Sequence, residues 1–453
     1  MTDRHDNGRA SLFPGYGIYA AWLVAAALLL TLVQGLMRNY GDSEQFPLTR
    51  PVTYSVDPGY SPYHALYKWD AIYWGDFQPI FEAAQGYRID PNFKMYQPDQ
   101  LKAGRASFVY TPFVAMCVHP ISEVRRTPER DLKRAANKVS ILNHWMWLGT
   151  GAMLLLIATH RQRIRALFVG AFLLHFLLYY PFATALQLTQ ASIWITFFLV
   201  ASLLLFQRGW MVAAGIALAL GVSIKPHLVV IPILLIFIPG FSRRMLVACF
   251  AGIGTAALAS LSYAGLQNCL DYGLKTLPIL SAGYAYYPNQ SINGLLLRLL
   301  HDYDPADFNL VAPHSEVKLL SSVFGLGVLG ICYAMGFRRP AKAGRAEDLM
   351  MFALLIAAGT VASPVCWYHH LAALTGPICV ALNRLWSNPE QRTRWTEGLL
   401  FASYALTAYY LDTRYLRGFP MAFLSVLAFY GGLILTGLLA WLTREGYRRA
   451  GTP

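Results

Sequence analysis

The sequence predicts an all-α, polytopic membrane protein that crosses the bilayer about twelve times. Only 13% of the 453 residues are charged and 56% are hydrophobic, with a mean hydropathy of +0.39. An average soluble chain carries about 25% charged residues. Apolar runs recur along nearly the whole length, so a signal peptide alone does not explain this composition. Lysine and arginine cluster between the runs, which indicates loops on one side of the membrane.

Twelve apolar runs are candidate spans. A helix needs about 20 residues to cross a bilayer, and several of the runs are shorter than this. We expect those helices to extend beyond the apolar run or to be broken. The runs are 17–37, 139–159, 165–181, 190–206, 210–222, 226–239, 244–266, 317–336, 347–362, 366–384, 396–411 and 421–442.

The basic stretches give the direction of the chain. With twelve spans, all of them fall on the side of the N-terminus, which the positive-inside tendency places in the cytoplasm. We therefore expect a bacterial inner (plasma) membrane protein with both ends in the cytoplasm. The net charge of +13 reflects these loops and not a nucleic-acid partner. The stretches are 161–165, 208, 243–244, 338–345, 384–394 and 444–449.

Residues 107–121 are apolar enough for a thirteenth span, but we expect them to re-enter the membrane or to lie on its outer face. The segment is short and contains Pro112 and Pro120. Counting it as a span would place all later basic loops outside. The charged stretch 125–138 must then lie outside as well, which long loops tolerate.

Two long outer segments, 38–138 and 267–316, follow from this topology, within a single membrane domain covering 1–453. Connections of this length are usually functional or disordered. The first is rich in tyrosine and tryptophan, which is typical of an ordered segment at the membrane interface. Apolar residues recur at helical spacing from Leu66 to Ala84, and this predicts a surface helix or a broken pair of helices.

Asp76 in the first outer segment has two interpretations. It follows Gly75 and stands three residues before Pro79, which fits the N-cap of a helix, and spacing alone favours this structural role. A carboxylate among aromatic residues at a membrane surface can also serve as a general base, its pKa tuned by partial burial. Asp70 is expected to be a solvated charge.

Polar residues also occur at the predicted outer ends of several spans, where ionisable groups are costly and tend to be functional. Lys225 can meet an anionic head group or extend to the interface. Residues 289–291 (Asn-Gln-Ser) precede an apolar stretch with Arg298, and they can cap a helix or bind a sugar. His369 and His370 point about 100° apart on a helix, so at most one is expected to face a site.

These residues converge on one membrane face together with Asp76 and Gln190, which predicts a site at the outer leaflet. The six cysteines show no CxxC or metal-ligand spacing, and neither a metal nor a cofactor is predicted. The sequence contains no Walker loop, no GxSxG and no HExxH motif, and no GxGxxG that precedes a strand. An enzyme acting outside the cytoplasm has no supply of nucleotide sugars, so an activated lipid is the expected donor.

The order of the polar motifs resembles glycosyltransferase family 87 over roughly residues 70–385. The motifs are Asp76-Phe77, Phe108 to Pro112 with Pro120, Gln190, Ile224-Lys225-Pro226, Asn289-Gln290-Ser291, and Ser363-Pro364 to His369-His370. The resemblance implies a GT-C fold and a polyprenyl-phosphate-sugar donor, as in the mycobacterial α-1,2-mannosyltransferase of phosphatidylinositol mannoside synthesis.

The resemblance also implies roles for individual residues. Asp76 matches the catalytic base, which reverses the preference for an N-cap, and one of His369 and His370 matches a histidine needed for activity. It places Lys225 near the donor phosphate. The donor phosphate and sugar would be met by Lys225, Arg298, Gln190, Asn289, Gln290 and Tyr110. Thr189-Gln190-Ala191-Ser192 departs from the family's usual Gly-Gln-x-Asn, which bears on the acceptor and the sugar.

The expected reaction is an inverting transfer of mannose or another hexose to a hydroxyl of a lipid-linked or cell-envelope glycan. A lipid or glycolipid flippase is the alternative, because spans interrupted by glycine and proline, such as 221–226, are typical of transporters. We find no internal repeat in the sequence, which argues against it. A polymer ligase or polymerase, with its critical residues in a late outer loop, is a third possibility.

Overall fold

The computed structural model describes residues 76–102, 107–123, 127–160, 166–301, 314–409 and 419–451, together with Trp69, Gln162, Tyr303, Thr413 and Leu416. Over these residues the chain is helical, as the sequence predicts. The α-helices are α1 (Gln78–Ile89), α2 (Pro98–Lys102), α3 (Pro112–Val118), α4 (Pro128–Ala158), α5 (Ala166–Leu177), α6 (Tyr180–Gln187), α7 (Ser192–Arg208), α8 (Met211–Ile224), α9 (Val230–Ile236), α10 (Arg243–Asp271), α11 (Leu277–Leu280), α12 (Ile292–Leu300), α13 (Ser315–Phe337), α14 (Arg345–Val361), α15 (Thr375–Ser387), α16 (Arg394–Ala408), α17 (Met421–Leu424) and α18 (Leu427–Gly451). Short 3-10 segments cover His119–Ile121, Pro226–Val229, Tyr368–Leu374 and Pro389–Gln391, and a π-helical turn covers Tyr272–Thr276.

The apolar runs coincide with helices. Run 17–37 lies outside the described residues, and each of the other eleven runs overlaps a helix or a broken pair of helices. Within the described part, four helices are long and apolar enough to cross a membrane, or five if the bent pair α5–α6 is counted as one span. The protein is therefore a membrane protein, while the count of twelve spans stays a prediction.

The helices extend beyond the predicted runs in some places and are bent or broken in others. α4 begins at Pro128, and its charged first turns lengthen the predicted run to 31 residues. α5 and α6 meet at a 47° bend, with proline at the start of α6. Pro226, which lacks a backbone N–H, separates α8 from α9. α10 is kinked at Gly265, whose φ is +74°.

The segment 107–121 contains a short helix. α3 and the 3-10 turn after it cover ten residues, Pro112–Ile121, which rise about 15 Å, or half of a bilayer core. Val114 and Ala115 are fully buried, and α3 packs against α1 and α10. Its place relative to the membrane stays a prediction.

α1 anchors the position of the candidate base. Phe77, Ile80, Phe81 and Ala84 are at most 2% exposed, and their spacing of three and four residues forms one helical face. The helical spacing is confirmed over this part, whereas Leu66 and residues 70–75 lie outside the described residues. Burying each phenylalanine contributes about 1.5–3 kcal/mol, so the chain at Asp76 is held firmly against the protein core.

The basic loops meet at one end of the bundle. The loops after α4, α9, α13 and α15 are joined there by side-chain hydrogen bonds, and α18 ends beside them. The bonds run from Gln162 to Ser387, Asn383 to the Ala158 carbonyl, Arg339 to the Pro239 carbonyl, Arg384 to Glu347 and Arg449 to Glu390. This gathering agrees with the one-sided distribution of positive charge, and the start of α7 and the end of α8 lie at the opposite end.

Candidate active site

The Asp76 carboxylate is bound by Gln190. Gln190 Nε2 donates to Asp76 Oδ2 over 2.5 Å, and the Tyr110 hydroxyl donates to Gln190 Oε1 over 2.6 Å. The amide is thus used at both ends, which fixes its orientation. Asp76 is partly exposed, whereas Gln190 is buried. Asp76 therefore lies at the edge of the buried region, while its partner lies inside it.

The N-cap interpretation of Asp76 is wrong. α1 begins at Gln78, its N-cap position is Phe77, and no side chain caps it. The helix start is stabilised by proline in its first turn. The carboxylate of Asp76 turns away from the helix and towards Gln190.

Thr189 has a left-handed backbone that positions Gln190. Its φ is +52°, a rare value for a β-branched residue. Gln190 N–H bonds to the Ala185 carbonyl and Thr189 N–H to the Leu186 carbonyl, which is the Schellman pattern that usually places glycine at this position. A glycine at this position would adopt this conformation without strain, whereas Thr189 adopts it at a cost of about 1–3 kcal/mol.

Tyr110 and Thr111 connect the carboxylate to a second polar group. Tyr96 donates to the Tyr110 carbonyl over 2.7 Å. Thr111 donates to the carbonyl of Ser223 over 2.6 Å, two residues before Lys225. The loop before α3 therefore joins the Asp76 region to the end of α8.

Lys225 and His370 are in direct contact. Lys225 follows the last residue of α8, and its Nζ lies 3.1 Å from His370 Nδ1 and also contacts Nε2. The Trp367 N–H donates to His370 Nδ1 over 3.1 Å. His369 is 7% exposed, and its ring packs edge-on against His370 at 4.5 Å between centroids. The structure thus assigns the contact with the lysine to His370, with His369 behind it.

Asn289 and Gln290 join three chain segments and are almost fully buried. Asn289 donates to the Tyr284 carbonyl and accepts from the Cys366 N–H. Gln290 donates to the Tyr287 and Ser425 carbonyls. The loop before α12 is thereby tied to the segment that carries the histidines.

Arg298 is 0% exposed and supports the same loop. Its guanidinium donates to the Tyr287 carbonyl over 3.3 Å and to the Asn289 carbonyl over 3.0 Å. These hydrogen bonds satisfy backbone acceptors and leave Arg298 Nε without one among the described residues. Arg298 therefore holds the loop that carries Asn289 and Gln290.

The electrostatics around Asp76 and Tyr110 suit acid–base chemistry. Burial raises the pKa of Asp76 from 3.8 to about 6, and the hydrogen bond from Gln190 opposes that rise. Burial, and next the Asp76 carboxylate, raise the pKa of Tyr110, so its hydroxyl remains protonated. A carboxylate with a pKa near 6 is largely ionised at pH 7 and can still take up a proton in a reaction.

Three supporting residues were not identified from the sequence: Tyr96, Thr111 as a connecting residue, and Asn143. Asn143 Nδ2 donates to the Gln190 carbonyl over 3.4 Å, and its Oδ1 accepts from Trp194 over 2.6 Å. A polar residue inside the apolar run 139–159 is a signal that could have identified Asn143. Asp70 lies outside the described residues. In the described ranges, the one cluster with metal-ligand geometry is His301, His314 and Glu316.

Comparison with known proteins gives one match. Residues 108–365 match the model of glycosyltransferase family 87. No curated protein and no solved structure matches the chain. The matched region contains Tyr110, Gln190, Lys225 and Arg298, while Asp76 precedes it and the two histidines follow it.

Proposed function

The chain belongs to glycosyltransferase family 87, and from this premise we propose that it transfers a sugar from a polyprenyl-phosphate donor. The sugar is mannose or another hexose. The acceptor is a hydroxyl of a lipid-linked or cell-envelope glycan on the outer face of the bacterial inner membrane. The observation that carries the proposal is the chain of contacts joining the carboxylate of Asp76, through Gln190 and the loop before α3, to the cation Lys225.

The reaction is a single displacement with inversion. Asp76 removes the proton from the acceptor hydroxyl while that oxygen attacks the anomeric carbon. The bond between the anomeric carbon and the phosphate oxygen breaks, and both of its electrons leave with the polyprenyl phosphate. The proton ends on Asp76, whose raised pKa makes it a competent acceptor. General-base assistance of this kind contributes roughly 10²–10⁴-fold.

Lys225 stabilises the leaving phosphate. A unit charge about 4 Å from a phosphate oxygen is worth about 4 kcal/mol at the effective dielectric constant of a protein surface. His370 contacts the ammonium group and positions it. Because the cation is already in place before the bond breaks, it favours the charge that develops during the reaction.

A lipid donor agrees with the position of these groups. They lie at the end of the bundle opposite the basic loops, which the positive-inside tendency assigns to the cytoplasm. α10 and α13 expose large apolar side chains, among them Leu258, Leu266, Val323 and Leu326, towards their surroundings. Such surfaces suit contact with lipid chains, and we propose that the polyprenyl tail lies in a groove among the later helices.

The alternative is a lipid flippase, which the break between α8 and α9 at Lys225 and Pro226 would also suit. The two functions differ in what becomes of the donor. Transfer moves the label to a new product, whereas transport moves intact labelled lipid across the bilayer.

The test uses the purified full-length chain in proteoliposomes with a lipid extract of the native host as acceptor. Radiolabelled sugars are offered on polyprenyl phosphate and, as the matched control, on a nucleotide. We expect label in a new product from the lipid-linked donor only. Transfer from the nucleotide sugar would refute the lipid donor, and transbilayer movement without a product would favour the flippase.

A further inference from the structure

Two histidines and a glutamate lie close together between the end of α12 and the start of α13. His301 follows the last residue of α12, and His314 precedes the first residue of α13. Their rings stack at 3.6 Å between centroids. His301 Nε2 lies 2.8 Å from Glu316 Oε1, and His314 Nδ1 lies 3.6 Å from the same oxygen.

The spacing suits a small divalent ion. Ligand atoms about 2.0–2.1 Å from a tetrahedral Zn²⁺ are about 3.3 Å apart. One atom from each of these residues lies within 4.8 Å of the other two. His301 Nε2 is buried, and its contact with Glu316 lacks hydrogen-bond geometry, so this nitrogen has no hydrogen bond among the described residues. A buried imidazole nitrogen facing a carboxylate in this way suits a metal ligand.

Tyr303 provides the outer support that metal-binding histidines commonly have. Its hydroxyl lies 2.8 Å from His314 Nε2. A histidine that binds a metal through one ring nitrogen usually donates from the other nitrogen to an oxygen atom. With Nε2 as the donor to the Tyr303 hydroxyl, as in this pattern, His314 Nδ1, the atom that faces Glu316, carries no proton. Ser315 donates to Glu316 Oε2, so Oε1 is the oxygen turned towards the histidines.

We propose that His301 Nε2, His314 Nδ1 and Glu316 Oε1 bind one divalent transition-metal ion of the zinc class. Three protein ligands leave a fourth position for water. The ion would clamp the end of α12 to the start of α13 across the connection 302–313. The cluster lies a helix length, about 14 Å, from Ser291 at the other end of α12. The cluster shares no residue with the candidate active site, and the proposal does not depend on the proposed transfer.

The experiment measures Zn²⁺ and Co²⁺ binding to the full-length protein, purified without a polyhistidine tag and stripped with a chelator. Zn²⁺ affinity is read by competition with a fluorescent chelator, and Co²⁺ by its visible absorption. We expect one equivalent and a tetrahedral cobalt spectrum. His314→Ala should weaken binding at least about 100-fold, and Tyr303→Phe about 10–100-fold.

The matched control is His119→Ala. His119 is also paired with a tyrosine hydroxyl, at 2.9 Å from Tyr263, but it is outside the cluster and should leave binding unchanged. Glu316→Gln tests the carboxylate with little change of shape, and thermal unfolding of the metal-free variants checks the fold. Wild-type binding by His314→Ala, absence of binding by the folded wild type, or loss of binding only on His369→Ala or His370→Ala would overturn the proposal.

Discussion

Replacing Gln190 with methionine tests whether the Gln190 amide keeps Asp76 ionised. The substitution keeps the approximate volume of the side chain and removes the donor that lies 2.5 Å from Asp76 Oδ2. The hydrogen bond to Gln190 lowers the pKa of Asp76, against burial, which raises it to about 6. Without the bond, burial acts alone and the pKa must rise further.

The size of the change follows from the strength of the bond. A hydrogen bond to a charged group contributes about 1.5–3 kcal/mol, and about 1.36 kcal/mol corresponds to one pH unit. The pKa of Asp76 should therefore rise from about 6 to about 7–8. At pH 7 the ionised fraction falls from about 90% to about 10–50%, which lowers kcat/KM about 2–10-fold.

The assay is kcat/KM between pH 5 and 9, since this parameter reports the free enzyme's ionisations. The acid limb of the wild type should lie near pH 6. In Gln190→Met the acid limb of the pH profile of kcat/KM should move to higher pH. The ratio of mutant to wild-type kcat/KM should therefore rise with pH. Gln187→Met, the same change three residues earlier on α6, should leave the limb in place. A loss of activity independent of pH, or a limb moved to lower pH, would refute the role given to Gln190.

Three further substitutions separate the parts of the site. Lys225→Gln should lower kcat about 10²–10³-fold, the usual loss for a group that stabilises developing charge. Lys225→Arg, which keeps the positive charge, should retain more activity than Lys225→Gln. If the kcat of Lys225→Gln in initial-rate assays equals that of the wild type, Lys225 has no role at the leaving group. Thr189→Gly should raise the free energy of unfolding by about 1 kcal/mol, because it relieves the left-handed threonine; a lower thermal midpoint would contradict this. Arg298→Ala should destabilise the protein by at least about 3 kcal/mol, because buried carbonyls lose their hydrogen-bond donor. An unchanged free energy of unfolding together with a higher KM would instead indicate that Arg298 contacts the sugar-donor substrate.

The sequence allowed the helices to be located because the spans must be apolar. The runs predicted from hydropathy coincide with helices wherever the structure describes them. Their ends were less predictable: the charged residues 128–138 belong to the same helix as the apolar run after them. Hydropathy detects the part of a helix that can lie in lipid and does not detect its polar extension.

The N-cap error at Asp76 shows the limit of local patterns. Gly-Asp-Phe-Gln-Pro fits a helix start, and a helix does start there, at Gln78. The carboxylate is instead bound by Gln190, a residue 114 positions away in the chain. A neighbouring backbone N–H and a distant amide compete for one carboxylate, and the sequence contains no measure of the distant partner.

The histidine pair shows the same limit from another side. The sequence predicts that at most one of His369 and His370 faces a site, and it does not distinguish them. They lie in a 3-10 segment, where successive residues are about 120° apart. The contact of His370 with Lys225 depends on the break after α8, a tertiary feature that neither motif contains.

Glycosyl transfer by Asp76→Asn tests the central claim most directly. The matched control is Asp90→Asn, an exposed aspartate at the end of α1. Both variants are assayed in proteoliposomes with the polyprenyl-phosphate donor, after thermal unfolding shows that each is folded. The account predicts at least about a 100-fold loss of transfer for Asp76→Asn and wild-type transfer for Asp90→Asn. A folded Asp76→Asn variant that keeps more than about a tenth of wild-type activity would contradict Asp76 as the catalytic base.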